Sequence, residues 1–455
     1  MRVTVIAHAS VLIEVGDQCI LIDPIFDDVF GSGTLCFNPA RTIDTERLIA
    51  RVTALVVTHG HLDHFHPPTL QLFGRDLPVA VPPDQGLLQS LRSLGFDQLV
   101  VLSPWRRHRL GEVELVATPS EFEDEEFGLF VRHRDDSYWH MSDAIVTEAI
   151  GRRVGTELGP VSLCAVKYQP LRTLIAYQRG VQSAMLDRDE LVDNFEAACA
   201  AEPATMFPYF SGFAFHGRHA WANRQVCPYS AAEVARLLGR RVEGRADVLT
   251  VKPGDVLDVD TRSVTKRVAA SDFVAPCTSE PVQRWEPIDP STLTGVDTPA
   301  ERVWLTLELR RLLETEVLRW VREHLSRRTG VFDAFRELNA LWQCTVHLGD
   351  GQRLVHAVDF RGPELVLYPD TLHPDANVFS HVSGLDLWQV VRGEVGAEVF
   401  WMAGGYRIYE KLLWVEDGRL CAPAVQGWAL FERLPDPLTH FLRKVGHRRR
   451  QAPRE

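Results

Sequence analysis

The first half of the chain alternates between short apolar segments and strong turn signals. "VTVIAHASVLIEV" followed by "QCILIDP" predicts a β-hairpin closed at Gly16 and Asp17. "TALVVTH" is a continuous apolar run of the kind that forms a strand buried on both faces. Further strand-like runs each stop at a proline, and helical segments separate several of them. This pattern predicts the α/β class, with sheets sandwiched between helices.

A polar, proline-rich stretch after residue 265 changes this pattern. The segment from Pro299 to Arg328 then has apolar residues at helical spacing and predicts a long amphipathic helix. Because 455 residues exceed what one core usually holds, we expect a catalytic domain over 1–265 and a C-terminal α+β domain over 266–455. The pattern leaves open whether the second domain binds substrate, binds a carrier such as coenzyme A, or forms the interface of a homodimer.

Composition narrows the classes of partner. The chain has 49 basic and 61 acidic residues, a formal net charge of −12, which argues against nucleic acid because phosphate binding needs a basic surface. The eight cysteines are scattered without a CxxC pair, as in reduced cytoplasmic proteins. The chain contains no signal-peptide pattern and no apolar run of about 18 residues. We therefore expect a cytoplasmic protein that acts on a small molecule and spans no membrane.

The segment "VVTHGHLDHFHPP" carries the candidate chemistry. Four residues of metal-ligand type, His59, His61, Asp63 and His64, fall within six positions at the end of the buried strand. A strand end is a rigid platform for such ligands. We expect His59 and His61 to face one metal ion and Asp63 and His64 to face a second.

This segment resembles the signature of the metallo-β-lactamase superfamily, and the resemblance extends over residues 1–265. The opening "HASVLIE" and "ILIDP" look like the N-terminal hairpin of its lactonase-like branch. The resemblance implies an αβ/βα sandwich, with Asp23 orienting a ligand histidine. For His8 two readings stay open, a residue beside the metal site and a hydrogen-bonded core histidine.

The same resemblance implies three further ligands. Glu121 follows "VELVATP" at a position where the family has histidine, and its alternative is membership of a solvated acidic loop. Asp143, in "YWHMSDAIV", matches the bridging aspartate. The last ligand is His216 or His219, which the sequence does not separate. The resemblance thus implies that Asp63, Glu121 and Asp143 carry the catalysis.

Three carboxylates at one dinuclear site suit iron better than zinc. The chain is therefore similar to the nonheme diiron monooxygenases of this fold, which include the β-hydroxylase of chloramphenicol biosynthesis and the diterpenoid hydroxylase of platensimycin biosynthesis. That similarity implies two iron ions, O2 and hydroxylation of a C–H bond in a bulky substrate of antibiotic biosynthesis, such as a diterpenoid linked to coenzyme A. Electrons would come from a separate reductase or ferredoxin, since Cys344 and His347 lack the CxH partner of a Rieske site.

Two other functions compete with this hypothesis. A dinuclear zinc hydrolase would use a metal-bound hydroxide to attack an ester, a lactone or a phosphodiester. A non-catalytic binding protein that kept the fold is disfavoured, because degenerate members usually lose ligands whereas this sequence offers a complete set.

Overall fold

The amino terminus forms the predicted hairpin, in which Val15 pairs with Gln18 across the two-residue turn. Gly16 adopts φ +57° there, a conformation that glycine reaches without steric cost. The computed structural model describes residues 1–31, 33–120, 126–168, 188–209, 212–217, 220, 223, 231–242, 244–261, 263–277, 306–317, 319–320, 323, 330–348, 352–397, 405–428, 431 and 436–442.

The described residues fall into two compact units, one before residue 278 and one after residue 305. The strands of the first unit are β1 Arg2–Ala7, β2 Ser10–Val15, β3 Gln18–Ile22, β4 Val29–Phe30, β5 Leu35–Phe37, β6 Arg41–Ile43, β7 Ala54–Val56, β8 Val79–Val81, β9 Leu99–Val101, β10 Arg107–Leu110, β11 Val113–Pro119, β12 Phe127–His133, β13 Asp136–His140, β14 Leu163–Lys167, β15 Thr205–Tyr209, β16 Phe213–Phe215, β17 Asp247–Val248, β18 Val256–Asp260, β19 Ser263–Arg267 and β20 Val274–Pro276. Its helices are α1 Thr45–Ile49, α2 Pro67–Leu70, α3 Gln85–Ser93, α4 Glu148–Arg153, α5 Arg188–Cys199 and α6 Ala231–Arg241.

Two large sheets form the centre of this unit. One has eight strands in the order β19-β18-β1-β2-β3-β7-β8-β9, and the other has seven in the order β10-β11-β12-β13-β14-β15-β17. Apolar side chains of both sheets, such as Val11, Ile13, Leu115 and Leu129, belong to one core cluster. Helices α1 to α3 pack on the outer face of the first sheet through a second cluster, and α5 and α6 pack on the second sheet. These layers confirm the predicted α/β sandwich.

Local sequence signals begin several of these helices. The side chains of Asp44, Asp84 and Thr147 accept hydrogen bonds from backbone N–H groups in the first turns of α1, α3 and α4. Such N-caps satisfy amide groups that the helix itself leaves unpaired. They fix where each helix starts relative to the strand before it.

The boundary between the units lies later than residue 265. Strand β19 pairs with β18 in the eight-stranded sheet, and β20 pairs with β6, so that Val274 faces Ile43. Residues 266–276 therefore belong to the first unit. The polar, proline-rich stretch that predicts a linker begins after them, at residue 277, and beyond that residue it lies outside the described part of the chain.

The second unit has its own sheet and core. Its strands are β21 Leu341–His347, β22 Arg353–Asp359, β23 Val366–Pro369, β24 Val378–Ser383, β25 Tyr406–Glu410, β26 Trp414–Glu416 and β27 Arg419–Cys421, and its helices include α7 Gly330–Glu337 and α8 Gly384–Arg392. Five strands form a sheet in the order β23-β22-β21-β24-β25. The predicted long helix is α-helical over 306–311 and continues as a π-helical turn over Leu312–Val317. No helix within the described ranges is long and apolar enough to cross a membrane.

Candidate metal centre

The ligand-type residues collect at one edge of the first unit, where several strands end. His8 lies between β1 and β2, Asp23 follows β3, and the His59–His64 segment follows β7. Ser142 and Asp143 follow β13 of the other sheet. His8, Asp23 and Ser142 have φ values of 48°, 44° and 53°. This left-handed conformation is costly for residues other than glycine and tends to persist at functional sites.

Two groups of ligand atoms form at this edge. His59, His61 and Asp143 make up the first group, and His8, Asp63 and His64 make up the second, with all ligand atoms of a group within 4.8 Å of one another. Nε2 of His59 lies 2.9 Å from Nδ1 of His61. The structure therefore brings His59 and His61 together with Asp143, as a dinuclear site requires, and holds Asp63 beside His64.

The buried Asp23 carboxylate determines which nitrogen of His64 is available. Its Oδ2 lies 2.8 Å from Nδ1 of His64, so Nδ1 carries the proton and donates it. Nε2 of His64 is buried without a hydrogen-bond partner. An unpartnered buried nitrogen is costly, and a metal ion bound there would satisfy it. The carboxylate–histidine pair is the usual way to orient a metal-binding imidazole.

The hydroxyl of Thr58 is hydrogen-bonded to residues of both ligand groups. Its Oγ1 donates to Oδ2 of Asp23 at 2.6 Å, so it acts as an acceptor toward its other neighbours. It lies 3.1 Å from Nδ1 of His59 and 2.8 Å from Oγ of Ser142. Nδ1 of His59 is therefore a donor, which leaves the lone pair of the neutral ring on Nε2, where it accepts from Nδ1 of His61. One hydroxyl thus sets the orientation of ligands in both groups.

His8 has the opposite arrangement. The backbone N–H of Gly212 donates to Nδ1 of His8 at 3.2 Å, so the proton of the neutral ring is on Nε2. That nitrogen lies 3.2 Å from Oδ2 of Asp63 and donates to it. Neither nitrogen then has a lone pair for a metal ion. The hydrogen bonding therefore makes His8 a partner of Asp63, although its position would also suit a ligand.

Gly212 is required for this contact. A Cβ atom at Gly212 would lie 2.8 Å from the backbone nitrogen and 2.9 Å from Cα of His8, closer than real Cβ contacts occur. The neighbouring Phe213 also packs edge-on against the His8 ring, with centroids 5.3 Å apart. The loop before β16 therefore fixes the His8 ring by close backbone approach and by packing.

The charged side chains at the centre shift one another's pKa values. Burial alone would lower the pKa of His64, but the surrounding carboxylates of Asp63, Asp143 and Asp23 raise it well above its usual range. Burial would raise the pKa of Asp143, but Lys167 and His64 hold it well below its usual range. The Asp143 carboxylate is thus ionised at neutral pH, and a metal ion that binds Nε2 of His64 would displace the proton that the raised pKa favours there.

Lys167, at the end of β14, is a site residue that the sequence analysis missed. Its side chain is buried and donates to the backbone carbonyl of Asp143. Thr58 and Ser142 were also missed. A sequence signal was available for these two, because each directly precedes a predicted ligand, whereas Lys167 only ends an apolar strand and has no predicted ligand near it in the sequence.

Three predicted ligands, Glu121, His216 and His219, are not among the residues that the structure groups at this edge. Glu121 and His219 lie outside the described residues. His216 is described but belongs to neither ligand group, and its side chain is exposed. The prediction took His216 or His219 as a histidine that follows a late strand. His216 directly follows strand β16, which pairs with β5 in a small separate sheet, and its backbone N–H donates to the carbonyl of Thr34.

Cys344 and His347 do not form a ligand pair. They lie three residues apart on β21 and so point to opposite faces of the sheet. Cys344 is buried in the core of the second unit, and burial raises the pKa of its thiol. A neutral, enclosed thiol is unsuited to binding an iron–sulfur cluster.

Comparisons with known proteins agree with this architecture. Residues 2–147 match the model of the β-lactamase superfamily domain. Over 155 residues the chain is 29% identical to a protein from Mycolicibacterium smegmatis that carries the name Rieske 2Fe-2S iron–sulfur protein, which covers 32% of this chain and 30% of that protein. Over 163 residues it is 27% identical to a metal-dependent hydrolase from Xanthobacter autotrophicus, covering 31% of this chain and 62% of the hydrolase.

The chain thus spans less than two thirds of the length of either relative. Among solved structures, a diiron β-hydroxylase from Streptomyces venezuelae aligns with a TM-score of 0.37 and 17% identity, over 55% of this chain and 52% of that one. The domain match over residues 2–147, the two packed sheets and the ligand cluster at their strand ends together show that the amino-terminal unit has the metallo-β-lactamase fold.

Proposed function

We propose that this protein is a nonheme diiron monooxygenase that hydroxylates a C–H bond of a bulky small molecule. The observation that carries the metal part of the proposal is the buried Nε2 of His64, which has no hydrogen-bond partner and points toward two carboxylates. It lies 3.6 Å from Oδ2 of Asp143 and 3.8 Å from Oδ2 of Asp63. One imidazole nitrogen and two carboxylate oxygens at these distances could all bind one cation placed between them.

The residues present fit two metal ions. His59 and His61 would hold the first ion, and Asp63 and His64 would hold the second. Asp143 is within 4.0 Å of Nε2 of His59 as well as near His64, so its carboxylate would bridge the two. Asp23 and Thr58 would hold the imidazoles in the protonation state that leaves their lone pairs free.

The choice of iron depends on Glu121. It follows Ser120, whose Oγ accepts a hydrogen bond from the backbone N–H of Ile145, two residues after Asp143. This hydrogen bond anchors Ser120, the last described residue before Glu121, beside the loop that carries Asp143. With Asp63 and Asp143, Glu121 would make three carboxylates, a hard, negatively charged ligand set that suits iron.

Bound iron would supply O2 activation, with electrons from a separate reductase or ferredoxin. The protein's own residues would set the conditions for it. Asp23 and Thr58 would keep the ligands rigid, His8 would hold Asp63 in place by donating to it, and Lys167 would offset part of the negative charge near Asp143. A substrate linked to coenzyme A and a role in antibiotic biosynthesis are parts of the same proposal.

Glu121→His tests this assignment. Imidazole is softer than carboxylate and removes one negative charge, so the variant should take up more zinc and less iron. Both proteins would be produced in medium with equal iron and zinc, and bound metal and reductant-dependent O2 uptake would be measured. We expect the wild type to hold iron and consume O2, and the variant to lose O2 uptake. Unchanged metal content and O2 uptake in the variant would refute the role of Glu121.

A dinuclear hydrolase is the second candidate, and one observation favours it. One relative is named as a metal-dependent hydrolase, and another carries the name of an iron–sulfur protein. The ligands His59, His61, Asp63, His64 and Asp143 would also hold zinc and generate a hydroxide nucleophile. Stoichiometric zinc in the wild type, with esterase or lactonase activity after iron has been removed, would establish this function instead.

A further inference from the structure

We propose that Phe213 and Ile145 contact the apolar body of the substrate, one beside each of the two ligand groups of the metal centre. The substrate class is a small molecule with a hydrocarbon ring or chain next to the reacting position. This inference deepens the proposed function and rests on it, because it takes the metal centre as the place where the substrate binds.

Phe213 lies beside the ligand group of His8, Asp63 and His64. Its ring packs edge-on against the ring of His8, with centroids 5.3 Å apart. Nε2 of His8 in turn lies 3.2 Å from Oδ2 of Asp63. One side chain thus separates the Phe213 ring from the Asp63 carboxylate, and Phe213 belongs to the layer of side chains directly around the ligands.

Phe213 is the partly exposed member of an otherwise buried apolar face. It pairs with Phe37, and Phe215 pairs with Leu35, across β16 and β5. Residues that pair directly, and residues two apart on one strand, point to the same side of a sheet. Leu35, Phe37 and Phe215 are buried, whereas Phe213 is partly exposed. This apolar face is therefore open at the residue that packs on His8.

Ile145 lies beside the other ligand group, on the segment that carries Asp143. Ala144 and Val146 are buried. Asp143 is partly exposed, and 40% of Ile145 is exposed. Burial that alternates in this way indicates an extended segment, in which residues two apart project to the same side. Ile145 therefore projects to the side of the Asp143 carboxylate, and its backbone N–H is held there by a 3.0 Å hydrogen bond to Oγ of Ser120.

Two large apolar side chains beside a polar centre suit a substrate that covers them. A single exposed apolar residue is ordinary on a protein surface, but Phe213 and Ile145 belong to different parts of the fold and adjoin the same ligand cluster. Pockets for small molecules combine an apolar lining with a few polar groups that fix orientation. Here the metal ligands are the polar groups, and the two side chains supply apolar surface. A substrate with polar groups on that side would gain no free energy from covering them.

Calorimetric titration of the full-length, metal-loaded protein with two hydroxamic acids tests this inference. The hydroxamate group binds iron and zinc alike, and its substituent is a phenyl ring in benzohydroxamate and a methyl group in acetohydroxamate. We expect the wild type to bind benzohydroxamate more tightly. Phe213→Ala and Ile145→Ala should each weaken that binding about tenfold, the effect of leaving about 50 Å² of apolar surface uncovered, and should leave acetohydroxamate binding nearly unchanged. Leu72→Ala removes an exposed leucine that follows α2 and should change neither.

The difference between the two probes decides the outcome. Ile145 is exposed, so its variant is expected to fold even if the Phe213 variant does not. Equal losses of both probes would show that the side chains act through the metal ligands, and would overturn the inference. Equal affinity of the wild type for both probes, or unchanged benzohydroxamate binding in either folded variant, would overturn it as well. Failure of the proposed function would appear separately, as stoichiometric zinc or absent O2 uptake in the wild type.

Discussion

At the scale of single residues, the hydrogen bond on one nitrogen of each histidine determines what the other nitrogen can do. Asp23 accepts from Nδ1 of His64 and leaves Nε2 free. Gly212 donates to Nδ1 of His8 and so puts a proton on Nε2. Two histidines whose rings lie 5.3 Å apart therefore have different roles, a ligand and a hydrogen-bond donor.

Substitution of His8 distinguishes these roles. His8→Gln retains an N–H near the position of Nε2, so it should keep Asp63 oriented and bind nearly the normal amount of metal. The shorter side chain of His8→Asn places its amide near the position of Nδ1, so it keeps an acceptor for the N–H of Gly212 but loses the donor to Asp63. It should weaken metal binding by about 10–100-fold, as loss of an outer hydrogen bond to a ligand does. The measurement is metal affinity by competition with a chelator, together with the absorption spectrum of the cobalt-substituted protein.

The alternative gives a different pattern. If His8 were itself a ligand, glutamine and asparagine would both fail to replace it, and the spectrum would show a changed coordination number in both variants. Equal losses in the two variants would therefore contradict the hydrogen-bond assignment.

At the scale of elements, the ends of strands gather the ligands, and close packing of helices behind the sheet supports those ends. Ser142 and Asp143 lie between β13 and α4. Helix α4 packs closely on α5 at Gly151, where an added Cβ would lie 1.9 Å from the carbonyl oxygen of Ala197. Helix α5 in turn packs on β14, the strand that ends in Lys167.

Gly151→Ala should therefore push the two helices apart. We expect it to lower the free energy of unfolding by about 1–3 kcal/mol, the usual cost of overpacking, and to weaken metal binding through displacement of Asp143. Gly239→Ala is the matched control. It lies in α6, nothing is within 4 Å of its added Cβ, and the change should stabilise the helix by about 0.5–1 kcal/mol. Denaturant unfolding measures both, and equal effects would contradict the packing argument.

At the scale of the whole molecule, the metal-ligand groups found among described residues all belong to the first unit. The second unit has a separate core built on its five-stranded sheet. Ligands that bind only the folded state stabilise the unit that holds them. Metal removal should therefore affect the two units unequally.

Scanning calorimetry with and without a chelator measures this difference. Metal present at a thousandfold excess over its dissociation constant contributes about 4 kcal/mol, so chelation should lower the transition of the first unit by about 10 °C. The transition of the second unit should stay in place, and added metal should restore the first. A single transition that shifts as a whole would show instead that the units unfold together.

Sequence alone determined the features that depend on neighbouring residues. The hairpin at Gly16, the buried strand before Thr58 and the cluster from His59 to His64 could all be predicted, because period, turn chemistry and ligand spacing are local properties. The roles of Asp23 and Asp143 followed from a family resemblance, and the structure holds both beside the cluster. The ligand roles of Glu121, His216 and His219 remain predictions.

Tertiary structure decided what depends on residues far apart in the chain. Gly212 assigns the proton of His8 across a separation of 204 residues, and Phe213 of strand β16, which pairs with β5, packs edge-on against the same ring. Lys167 reaches Asp143 because β14 lies beside β13 in the sheet. Strand pairing joins positions whose spacing in sequence has no period, so no local pattern reports it.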